Sequence, residues 1–124
     1  MIGKFILWLS VIAFTSFGSM CLINPATVTD MNGLTAASGD AYVELGAMYG
    51  GLQTGFGLFL LLGALRPAMY RPALTSLVIV IGSLAVGRIA TTVMIGMDVG
   101  IYTWGTISYE LFTAIVAGLA LRSK

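Results

Sequence analysis

The stretch ELGAMYGGLQTGFG, Glu44 to Gly57, decides how the chain is read. It opens an apolar run that continues to Leu65, yet it holds a carboxylate, a tyrosine, a glutamine and five glycines. A helix that only has to fill hydrocarbon has no use for that mixture. The stretch therefore reads as the start of a transmembrane helix that packs closely and turns one face to a polar site. A carboxylate there needs a partner, and the only charges deep in other apolar segments are Arg88 and Glu110.

Composition agrees. Of 124 residues, 58% are hydrophobic and 9% charged, and the mean hydropathy is +0.99. A soluble domain is about a quarter charged. So few charges cannot cover a water-facing surface, and the chain reads as an integral membrane protein. The net charge of +1 gives no basic footprint for nucleic acid. The absence of histidine excludes a histidine-ligated metal or haem. The single cysteine, Cys21, leaves no intrachain disulfide and no paired-cysteine motif. No metal and no cofactor is expected.

Working outward, four segments reach the roughly 20 apolar residues that a span requires. They cover about residues 5–23, 41–65, 73–95 and 104–121. The expected fold is all-α: an integral membrane four-helix bundle, one domain over residues 1–124. Short links make consecutive helices antiparallel neighbours. Asn24-Pro25 and Arg66-Pro67 end the first two spans, and Pro72 suits the first turn of the third. RPAMYRP, residues 66–72, is expected to be a tight turn. The first segment has the basic start and apolar middle of a leader peptide. Met20, before Cys21, is not the small residue that lipoprotein cleavage wants, while Ser16 and Gly18 imitate a signal-peptidase site; a retained helix is expected. Cys21 reads as a small apolar packing residue. The link over residues 24–40 is the longest, and Asn32-Gly33 marks a turn in it.

Orientation follows from the links. Lys4, Arg66, Arg71, Arg122 and Lys124 fall on one side of the four-span layout, and Asp30, Asp40 and Asp98 on the other. Lys and Arg mark the cytoplasmic side, so both termini are expected there. Arg88 then lies ~10 Å below the outer boundary and Glu110 ~9 Å, at ~1.5 Å per residue, with Glu44 near the outer end of its helix. An unpaired charge at a helix centre costs about 2.5–3.5 kcal/mol, so the three are expected to meet.

The surroundings suit a site. On a 100° wheel Glu44 shares a face with Ala47, Met48, Gly51 and Gly55, Arg88 with Thr91 and Thr92, and Glu110 with Thr106 and Thr113. Tyr49 and Gln53 form a second polar face. The ligand-binding candidates are Glu44, Arg88, Glu110, Tyr49, Gln53, Thr91 and Thr106. Gly46, Gly50, Gly51, Gly55 and Gly87 are the expected packing glycines. On that basis Gly51→Leu is expected to cost more than Leu60→Ala. The competing reading is that the charges only staple the helices together.

Three motifs carry a resemblance: the glutamate before AMYGGLQTGFGLFLLLGALRP, GSLAVGR in the third span, and YELFTAIVAGLAL in the fourth. They resemble a family of small four-helix bacterial membrane proteins known only as a domain of unknown function, with an architecture similar to that of DoxX-like proteins. The resemblance implies Glu44, Tyr49, Gly50, Gly51, Gly87, Arg88 and Glu110 as motif positions. It departs where Leu45-Gly46 replaces a basic residue expected soon after the glutamate. It implies a multi-pass protein of the bacterial inner membrane, and no activity.

The first functional expectation is a module that binds a small anionic or amphipathic molecule, or lipid, at the Glu/Arg/Glu site in the outer half of the bundle. The alternative is an accessory or scaffold subunit of a larger membrane complex, or a homo-oligomer docked through glycine faces. A proton-coupled exporter ranks third, because the first span has no carboxylate and one chain would have to dimerise. No nucleophile–base pair or phosphate loop favours an enzyme. The partners expected are membrane lipid and a membrane-protein subunit, not nucleic acid.

Overall fold

The computed structural model describes residues 1–123. It is 86% helical, with no strand among the described residues. The helices are α1 (Ile2–Ile23), α2 (Ala26–Asn32), α3 (Gly39–Leu65), α4 (Pro67–Met94) and α5 (Ile101–Arg122). All but α2 are long and apolar enough to cross a membrane. Two of them widen by one π-helical turn, α3 at Gly46–Gly51 and α4 at Leu77–Ile81.

Local chemistry sets the ends. Ser38 is extended, and its hydroxyl accepts from the Ala41 N–H at 3.1 Å. With Asp40 in the first turn, this cap starts α3 two residues before the apolar run. Arg66 is extended (φ −110°, ψ 119°) because the Pro67 ring disfavours helical angles before it. The third span then differs from expectation. It begins at Pro67, not near residue 73, because a proline ring is pre-organised for the first helical position. Pro72 lies inside the helix, and RPAMYRP is no loop. The turn is Arg66 itself. Residues 24–40 hold the unforeseen helix α2, which Gly33 closes at φ 76° by donating its N–H to the Thr29 carbonyl.

The chain divides into two units, and α1 and α3 each contribute to both. In the unit of residues 8–61, α1 and α3 approach to backbone contact. A Cβ at Gly18 would lie 2.6 Å from the Thr54 nitrogen, at Gly50 2.8 Å from the Leu22 nitrogen, and at Gly57 2.9 Å from the Thr15 nitrogen. Any side chain larger than hydrogen at these three positions would force the helices apart. Phe14 packs edge-on against Phe56, with centroids 5.1 Å apart. Leu60 and Cys21 are fully buried.

In the unit of residues 1–7 and 62 onward, the buried side chains include Ile6, Leu74, Leu77, Ile81, Ile107 and Ala117. A Cβ at Gly82 would lie 3.7 Å from that of Ala114, and one at Gly118 3.9 Å from Val78. Arg71 Nη2 donates to the Leu121 carbonyl at 3.2 Å, a cation at the negative end of α5. Exposed apolar residues such as Val43, Leu52, Ile79, Val86, Phe112 and Ile115 cover the outsides of the long helices. Apolar surface on that scale marks a membrane or protein interface. Lys4, Arg66, Arg71 and Arg122 are all exposed, and Lys124 lies outside the described residues.

Of the five expected packing glycines, two have a neighbour within the chain and three do not. A Cβ at Gly51, Gly55 or Gly87 meets nothing within 4 Å, whereas Gly50 abuts Leu22 and Gly46 abuts Pro25 at 3.2 Å. A side chain introduced at Gly51 therefore starts into open space within this chain, whereas Leu60 is fully buried. Gly46, Gly50 and Gly51 all lie in the π-helical turn Gly46–Gly51. A wheel of 100° per residue presumes an unbroken α-helix and fails across a wider turn.

Candidate functional site

Arg88 sits six residues before the end of α4, and Glu110 sits nine residues into α5. Both fall inside apolar spans, where an isolated charge is costly. The structure brings them together. Arg88 Nη2 donates to Glu110 Oε1 at 2.9 Å. Its Nε–H lies 3.2 Å from Oε2 and 3.3 Å from Oε1. The guanidinium thus presents its Nε and Nη2 edge to the carboxylate plane, the forked contact that lysine cannot reproduce.

The two partners differ in exposure. The Glu110 side chain is 5% exposed and that of Arg88 31%. Glu110 fixes the guanidinium from within, and part of the arginine reaches the surface of the unit. Around the pair lie hydroxyls. Thr92, one turn beyond Arg88, is buried, and Thr113, one turn beyond Glu110, is fully so. Thr113 Oγ1 and the Tyr109 hydroxyl are buried without a hydrogen-bond partner. Several helical hydroxyls elsewhere bond back to their own helix. Thr91 donates to the Gly87 and Arg88 carbonyls, and Thr106 to that of Tyr102. An unmet buried hydroxyl costs about 1–3 kcal/mol, and the Ser10 and Thr54 hydroxyls are buried and unmet in the same way.

The other candidates are placed as follows. Glu44, Tyr49 and Gln53 belong to the unit of residues 8–61; Glu44 is exposed and the other two are half-buried. Of the expected charge cluster, the Arg88–Glu110 half is formed. Thr91 is exposed and Thr106 half-buried. Tyr109 had not been singled out, although its place beside Glu110 in the YEL motif was the available signal. No group of three or more His, Cys, Asp or Glu side chains positioned for a metal occurs among the described residues.

A recess of about 330 Å³ opens elsewhere in the same unit, lined by Lys4, Gly63, Leu65, Arg66, Pro67 and Tyr70 among others. It does not include Arg88 or Glu110.

A family model described as a domain of unknown function, DUF4345, matches residues 2–121. No curated protein and no solved structure matches the chain.

Proposed function

This chain belongs to the DUF4345 family, and from that premise we propose that it is a multi-pass protein of the bacterial inner membrane whose Arg88–Glu110 pair receives a small anionic or amphipathic ligand. The observation that carries the reading is the asymmetry of the pair: the Glu110 side chain is 5% exposed and that of Arg88 31%. The buried carboxylate holds the arginine in one geometry. Tyr109 and Thr113, close to Glu110 in the same helix, carry buried hydroxyls with no hydrogen-bond partner.

The proposed topology is four membrane-crossing helices with antiparallel neighbours and both termini in the cytoplasm. The one-sided Lys and Arg distribution supports the orientation. The pairs Val78–Gly118, Gly82–Ala114 and Arg88–Glu110 climb α4 as they descend α5, which supports the antiparallel arrangement of those two.

The test is purification of the chain from membranes in mild detergent, with mass spectrometry of bound small molecules. Arg88→Lys keeps the charge and loses the fork, and it should lower the co-purifying ligand at least about tenfold while helicity is retained. Identical bound molecules in both proteins would leave the pair with a stapling role only.

A second reading, an accessory subunit, is supported by Gly51 and Gly55, four residues apart on α3 with open space above both. Such a face fits close approach of a helix from another membrane protein. Tryptophan at Gly51 would then abolish cross-linking to a larger subunit while leaving ligand binding at Arg88 intact.

A further inference from the structure

The recess at the α3–α4 turn has a composition that the Arg88 site does not explain. α3 ends at Leu65 and α4 begins at Pro67, so the recess lies where two long apolar helices stop. Gly63 lines it and lets α3 and α4 close together behind it, since a side chain there would press on Ala73 and on the Met69 carbonyl, 3.2 Å away. Gly3 in α1 accommodates the Tyr70 hydroxyl in the same way and brings Lys4 to the rim. Leu65, Ala64 and Pro67 provide apolar walls.

The charges all have one sign. Lys4 and Arg66 line the recess, and none of its lining residues is acidic. Among the described residues neither cation takes part in a salt bridge. α4 starts beside them with no carboxylate in its first turn and no side-chain cap, so its positive end adds to the field. Two cations, a phenol and the positive end of a helix thus meet over apolar walls.

We propose that this recess binds the phosphate of an anionic ligand at the membrane surface, with Lys4 and Arg66 on the phosphate oxygens, Tyr70 as a further polar partner and Leu65 against the apolar remainder. Arg66 gives two parallel donors to the phosphate and Lys4 a mobile point charge. The same chemistry is offered by a phospholipid headgroup and by a free phosphate, and the test separates them.

The experiment is native mass spectrometry of the full chain in detergent, titrated separately with phosphatidylglycerol, phosphatidylcholine and inorganic phosphate. Phosphatidylglycerol should bind at least about tenfold more tightly than phosphatidylcholine. Lys4→Gln and Arg66→Gln should each weaken it about fivefold, the worth of one cation at an anionic surface. Arg66→Lys should fall between wild type and Arg66→Gln. Arg122→Gln, an equally exposed cation outside the recess, should change it less than twofold. Both cations of the recess are exposed, so the single variants should keep wild-type circular dichroism. If inorganic phosphate binds with the same dependence on Lys4 and Arg66 and lipid does not, the recess stands and its ligand is soluble. Equal binding of the two lipids without any phosphate binding would overturn the proposal. So would an Arg122→Gln loss as large as that of Arg66→Gln, which would reduce the effect to diffuse surface charge.

Discussion

Arg88 and Glu110 constrain one another more than either contributes to stability. Removing one partner leaves a buried charge, at a cost of about 3–5 kcal/mol. Arg88→Leu should therefore lower the midpoint of denaturant-induced unfolding in detergent by an amount equivalent to that loss. The double variant Arg88→Leu/Glu110→Leu should recover at least half of it, because an apolar pair leaves no orphan. A double variant as unstable as the single would mean that the pair itself, not the orphan, carries the stability. The pair was legible in the sequence, since depth counting on two helices placed both charges at the same level before any contact was known. Tyr109 was not, because a tyrosine beside a glutamate looks the same whether its hydroxyl is satisfied or stranded.

At the scale of an element, α3 meets α1 through positions 50, 54 and 57, and Pro25 through position 46. Gly18→Leu and Gly50→Leu place a side chain into backbone and should each destabilise by about 1–3 kcal/mol or more. Leu60→Ala empties a fully buried site and should cost about 2–5 kcal/mol. Gly51→Leu points into open space and should cost less than about 0.5 kcal/mol in the isolated chain. Melting temperatures in one detergent rank all four, and a Gly51→Leu protein less stable than Leu60→Ala would show that a partner covers that face. Glycine abundance in ELGAMYGGLQTGFG announced close packing, and the pair of glycines at 50 and 51 could not say which one packs. That choice depends on the π-helical turn between Glu44 and Leu52, which has no signature in the order of residues. Proline gave a similar ambiguity at 67 and 72, where either ring suits a first turn and only the shorter link decides.

For the whole molecule, four apolar helices were readable from length alone, because hydrocarbon thickness leaves little choice of span. The division of contacts into two units was not, since it arises from how α1 and α3 share their faces along their length. Orientation is open to a direct test. Asn32→Cys, in α2 between the first two long helices, should react with a membrane-impermeant maleimide added outside intact cells. Cys21 is buried and should give little background. Reaction only after the inner side is exposed would reverse the proposed topology.

The back-bonded hydroxyls have a consequence for the solutes this chain can recognise. Thr91 and Thr106 have each spent their single hydrogen on a carbonyl of their own helix. What remains on each oxygen is a lone pair. A bare carboxylate or phosphate that reached either threonine would meet repulsion, while an alcohol, a protonated acid or an ammonium group would be welcomed. If these threonines take part in recognition, they select for a guest that brings hydrogens of its own, and Arg88 selects for one that also carries negative charge. A dianion with no donor satisfies one demand and violates the other, whereas a zwitterion or a hydroxy acid meets both.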